Sequence, residues 1–214
     1  GADRHRLVYD HSVTWGLGDA WASLGIFFLT SILVGLALYN VTTGPGLDGA
    51  WLPLAVAIPL LLQGLYIWYI AGRKGRGLRR DFALSAKPSD LGLGAVLMIA
   101  GMLGAGIVGA FMIWLFDSAP SASVADLAEE SADGGGLTIW LVLLAVLAST
   151  LVPLVEELVF RGLWWSALEK RGMKSHWILL TTSLVFAAIH VEPQRSAVIF
   201  VLGMAVGAGR LATG

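Results

Sequence analysis

Pro153-Leu-Val-Glu156-Glu157-Leu-Val-Phe160-Arg161-Gly-Leu-Trp164-Trp165-Ser-Ala-Leu-Glu169-Lys170 continues an apolar run that begins near Leu137. The combined run is long enough for a membrane-spanning helix. Two adjacent carboxylates and an arginine then sit at bilayer depth. Each such charge costs about 2.5–3.5 kcal/mol on insertion scales, so three in one segment must either bind or react with something, or hold helices together.

Helix geometry divides the two carboxylates. Glu157 and Arg161 are four residues apart with the acid on the N-terminal side, the favourable order for an ion pair. Glu156 is five residues from Arg161 and points away from it. It shares a face with Pro153 and Phe160. Pro153 has no N–H for the Ser149 carbonyl, so a kink is predicted one turn before Glu156. Kinked, locally polar helices in membranes line cavities. Glu157 and Arg161 are therefore predicted to be a structural pair, and Glu156 to be the carboxylate left for chemistry.

The rest of the chain agrees with a membrane setting. Of its 214 residues, 57% are hydrophobic and 14% are charged, against about 25% charged in a soluble domain. Mean hydropathy is +0.76. The apolar runs are too long for barrel strands, so the fold class is all-α, a polytopic helical membrane protein. A net charge of -1 argues against a nucleic-acid partner. The absence of cysteine excludes disulfides, thiolate metal sites and a cysteine nucleophile.

Outward from the central stretch, six spans are predicted at about 19–39, 50–71, 91–116, 137–168, 177–191 and 197 to the end. Together they form one integral membrane domain, 1–214, with more helices expected in the full-length protein. The third span carries Gly92, Gly94, Gly101, Gly104, Gly106 and Gly109, a surface that lets a neighbouring backbone approach closely. Gly203, Gly207 and Gly209 do the same in the last. Basic residues gather at 73–87 and 170–174, whereas the loops at 40–49 and 117–136 contain no Lys or Arg. The positive-inside rule therefore puts both basic segments and the N-terminus in the cytoplasm. A short surface helix is predicted at 124–132.

His190 is the second candidate, with Phe186 one turn before it. Glu156 lies 13 residues before Glu169, and His190 lies 14 residues after His176. At 1.5 Å per residue, both are roughly 20 Å from the cytoplasmic side, on consecutive antiparallel helices. A carboxylate and an imidazole are thus predicted at matching depth. The plainer reading of His190 is a hydrogen bond within the helix packing. His5, His11 and His176 fall in surface segments.

Two motifs now stand in order. Glu156-Glu157-Leu-Val-Phe-Arg161 fits E-E-x-x-x-R, and Phe186-Ala-Ala-Ile-His190 fits F-x-x-x-H. Together they resemble the CPBP family of intramembrane proteases, also called Abi or CAAX-protease-like, which includes the Rce1-related prenyl-protein endopeptidases. The resemblance covers about 137–214. The family has a further motif, H-x-x-x-N or similar, on a later helix, expected beyond Gly214.

The resemblance implies an intramembrane endopeptidase with a cavity open to the cytoplasm, acting on a peptide or lipidated peptide among membrane lipids. It assigns water activation to Glu156, with His190 and Glu157 in the catalytic set and Arg161 and Phe186 supporting the site. A carboxylate among apolar side chains is a stronger base than one in water, and an imidazole can steady the water or the developing oxyanion. No cofactor is expected. One carboxylate and one histidine are too few for a closed zinc site, yet a divalent metal such as zinc stays open, with Glu156 and His190 as candidate ligands. Two other readings remain at this point. One is a non-catalytic protein of the same fold, serving bacteriocin self-immunity or scaffolding. The other is a proton-coupled transporter, since intramembrane Glu, His and Arg also build proton relays. A bacterial plasma membrane is the expected location.

Overall fold

Thr14 and Trp15 lie against the far end of the second helix and the end of the fourth span, and this junction anchors the fold. The Thr14 N–H donates to the Lys74 carbonyl at 2.6 Å. The Trp15 indole N–H donates to Ser166 Oγ at 2.6 Å, and Lys170 Nζ reaches the Trp15 carbonyl at 3.4 Å. The computed structural model describes residues 13–42, 51–82, 88–116, 139–193 and 195–213. Among them all regular structure is helical: α1 Leu17–Thr42, α2 Trp51–Lys74, α3 Leu78–Asp81, α4 Pro88–Phe116, α5 Ile139–Ser149, α6 Leu151–Glu157, a π-helical segment Leu158–Trp164, α7 Trp165–Glu169, α8 Ser175–Ile189 and α9 Ser196–Thr213. The helix predicted at 124–132, His5 and His11 lie outside the described residues.

Among the described residues, four helical stretches are long and apolar enough to cross a membrane: Leu17–Leu38, Trp51–Lys74, Gly92–Phe116 and Ile139–Glu169. The last two apolar helices are shorter, at 15 and 18 residues. This is a polytopic all-α membrane protein.

The predicted span at 137–168 is one apolar helical stretch, Ile139–Glu169, interrupted in two places. The first interruption is a backbone distortion at Thr150 (φ -122°, ψ -66°), about one turn before Pro153, where the sequence predicts a kink; the Thr150 hydroxyl turns back to the Val146 carbonyl at 2.6 Å. Pro153 then falls in the first turn of α6, where a missing N–H costs least. Five residues after Pro153 the ladder widens into the π-helical segment, and the Trp165 N–H reaches the Phe160 carbonyl five residues back. Gly162 sits in that segment against the Phe82 ring, where a Cβ would overlap ring carbons.

The core gathers around these distorted turns. Trp15, Ile67, Val159, Phe160, Leu163 and Ile178 are each buried to 1% exposure or less. Phe82 stacks on Trp15 at 5.5 Å. The core lies between Glu156 and the end where α2 and α7 finish. That end also carries the basic segments: Lys74 pairs with Asp19 at 2.6 Å, and Lys170 Nζ donates to the Val13 carbonyl at 3.3 Å. The sequence placed both basic segments on one side of the bilayer, and these contacts bring them to one end of the fold.

α4 lies against α9, antiparallel, through the small residues singled out above. A Cβ on Gly101 would sit 3.0 Å from that of Ala205, and one on Gly104 would sit 3.0 Å from Val201 Cγ1. Such close backbone approach is how helices associate where lipid removes the hydrophobic driving force. The other face of α4 is exposed, with Met102, Ile107 and Trp114 all pointing outward.

Candidate active site

Glu156 and Glu157 close α6, immediately before the π-helical segment. Successive residues on a helix point about 100° apart, and here that separates two cavities. Glu156 lines a cavity of about 310 Å³ with His190, Phe160 and residues of α1 and α2. Glu157 lines a larger cleft of about 480 Å³ with Arg161 and residues of α4 and α9.

Across the smaller cavity, Glu156 Oε1 and His190 Nε2 stand 3.7 Å apart. The distance is longer than a direct hydrogen bond and short enough for one water molecule to touch both. His190 caps the C-terminus of α8, and its Nδ1 lies 2.7 Å from the Phe186 carbonyl. A carbonyl only accepts, so Nδ1 carries the proton and donates. Nε2 is then left facing Glu156. Val191 follows at φ 52°, a left-handed conformation that a β-branched residue adopts only at a cost. It turns the chain directly after His190.

Phe186 ties the two halves of the constellation together. Its ring meets the His190 ring at 4.7 Å and the Phe160 ring at 5.2 Å. The Arg161 guanidinium lies 5.6 Å from the Phe186 centroid on another side. Arg161 itself is buried. Its Nη1 is 3.5 Å from Glu157 Oε1, and its Nη2 donates to the Gly203 carbonyl at 2.6 Å. A Cβ on Gly207 would collide with Leu179, so the glycines of α9 admit both the guanidinium and the face of α8.

The structure thus brings Glu156 and His190 together, with Glu157 and Arg161 as a separate pair behind them. Of the face assigned to Glu156, Phe160 lines the cavity with it, joined by Val152 and Val159, whereas Pro153 is exposed and does not. His176 is exposed at the start of α8. Among the described residues no three His, Asp or Glu side chains group as metal ligands. Glu156 and His190 alone fall short of the three protein ligands of a catalytic zinc, so the residues described do not fit a metal site. Two contributors went unread in the sequence, Gln63 in the cavity and Phe82 on Gly162. Gln63 did leave a signal, an amide in the middle of an apolar span.

Residues 138–214 match the model of a protein family described as "Type II CAAX prenyl endopeptidase Rce1-like". The match begins one residue after the predicted start of the motif-bearing segment and contains both motifs. No curated protein matches the chain, and no solved structure matches it.

Proposed function

We propose that this chain is an intramembrane endopeptidase that cleaves a peptide bond with a water molecule activated by Glu156, a reading supported by the match of residues 138–214 to the Rce1-like family model. The observation that carries the reading is the 3.7 Å gap between Glu156 and His190 on the wall of one cavity. A water held in that gap gives its proton to the Glu156 carboxylate as its oxygen bonds to the scissile carbonyl carbon. The carbonyl electron pair moves onto oxygen. Collapse of this intermediate breaks the C–N bond, and Glu156 returns the proton to the departing amine. His190 Nε2 accepts the water's other O–H and holds the water in place, with the ring set by the Phe186 carbonyl. Glu157 and Arg161 keep α6 and the π-helical segment docked on α9. No step uses a metal.

The family description points to a prenylated C-terminal peptide as substrate. The basic end is assigned to the cytoplasm. Glu156→Gln keeps the shape of the side chain and removes the base. General-base catalysis contributes about 10²–10⁴-fold, so turnover of a prenylated peptide by purified Glu156→Gln protein is expected to fall at least about a hundredfold with the melting temperature unchanged. Full cleavage by that variant would remove Glu156 from the mechanism. If the unaltered protein cleaves no peptide, prenylated or not, the non-catalytic reading of the same fold takes its place.

A further inference from the structure

The cavity holding Glu156 and His190 has a second wall, built by α1 and α2, which neither motif nor family match reaches. That wall is apolar except at Ser31 and Gln63. Ser31 is satisfied within its own helix, its hydroxyl donating to the Phe27 carbonyl at 2.8 Å. Gln63 is different. It is buried, at 4% exposure, and its Nε2 donates to both the backbone carbonyl and the hydroxyl of Ser23, at 3.2 Å each.

Since a backbone carbonyl can only accept, this contact settles which end of the amide is nitrogen. Ser23 is itself fully buried on α1. Two bonds to one residue of a neighbouring helix therefore fix the amide plane. The other end, Oε1, has no hydrogen-bond partner among the described residues, and Gln63 lines the cavity. An acceptor held rigid in apolar surroundings is costly until a donor arrives.

We infer that Gln63 Oε1 accepts a backbone N–H of the bound peptide. The inference rests on the peptidase reading of this cavity. A peptide entering an apolar cavity loses the water on its backbone N–H groups, and each one left unmet weakens binding. Gln63 meets one of them from α2, while Glu156 and His190 address the scissile group from α6 and α8. The contact reads the backbone rather than a side chain. It thereby sets which peptide bond comes to rest at Glu156.

The test uses the full chain and a labelled prenylated C-terminal peptide, with analogues N-methylated at one backbone amide each. Binding is measured by anisotropy to Glu156→Gln protein, in which turnover is expected to be at least about a hundredfold slower. One N-methyl position is expected to weaken binding about tenfold. In Glu156→Gln/Gln63→Leu protein the parent peptide should bind about tenfold more weakly, with no further loss at that position. Gln63→Met, of nearly the same length and without the acceptor, serves as the second variant if Gln63→Leu fails to fold. Equal N-methyl penalties with and without Gln63 would overturn the contact. No binding of any peptide would overturn both the contact and the peptidase reading. The expected binding pattern, with no cleavage by the unaltered protein, would leave the contact standing and sink the peptidase.

Discussion

Arg161 answers to two partners, and its replacement tests whether the motif holds structure or chemistry. Its guanidinium is 7% exposed and the Glu157 carboxylate 41%. Breaking a buried pair typically costs about 3–5 kcal/mol. In Arg161→Ala the carboxylate left behind is partly open to the cleft, which lowers the penalty, but the Gly203 carbonyl also loses its donor. A loss of about 3 kcal/mol is expected, read as a lower melting temperature in detergent. Glu157→Gln strands the more deeply buried partner, so it is expected to destabilise at least as much. An Arg161→Ala protein as stable as the unaltered one would show that the pair is not structural. Glu156 stands apart from both, because its neighbour across the cavity is an imidazole rather than a cation held by the Gly203 carbonyl.

At the scale of the element, the π-helical segment is the feature to test. A π-bulge inserts an extra residue into a helical turn, and such turns recur at functional sites. Here the segment begins at the residue after Glu157 and contains Gly162, pressed against the Phe82 ring. Gly162→Ala puts a methyl where ring carbons lie, and overpacking of this kind costs about 1–3 kcal/mol. Combining it with Phe82→Ala should recover part of that loss, since substitutions in contact couple rather than add. Additive losses would show that the ring does not set the turn. The end of α8 carries a second device. Val191 at φ 52° is exposed, so its strain is not offset by burial. The left-handed conformation costs an L-residue roughly 1–2 kcal/mol. Val191→Gly is therefore expected to raise stability by up to about 1 kcal/mol. A drop in melting temperature would mean that this turn is not strained.

For the molecule as a whole, the bilayer explains why so many large apolar side chains face outward. Trp114, Ile107 and Met102 on α4 are largely exposed, and in lipid such side chains need no protein cover. The packed core sits at the basic end, with the Glu156 cavity beyond it. That arrangement sharpens the topology test. The chain has no cysteine, so single-cysteine probes report cleanly. Arg171→Cys, exposed at the basic end, should react with an impermeant reagent from the cytoplasmic face. Phe116→Cys, at the opposite end of α4, should react from the other face. The reverse pattern would overturn the assignment made from Lys and Arg.

Much of the site could be read in the sequence because its geometry is local. The i,i+4 offset of Glu157 and Arg161 and the helical rise to Glu156 and His190 need only helix periodicity and chain order. Long apolar runs required an all-α membrane protein, since backbone groups in lipid must be paired within the element. Tertiary packing decided the rest. The π-helical segment exists where Phe82, from outside the motif, meets Gly162. Glu156 and Glu157 see different cavities because α1 and α2 lie on one side of the helix and a cleft walled by α4 and α9 lies on the other. Gln63 reaches the Glu156 cavity by the same packing. No periodicity within one segment encodes which distant helix will cover which face, because that choice is made by contacts between segments far apart in the chain.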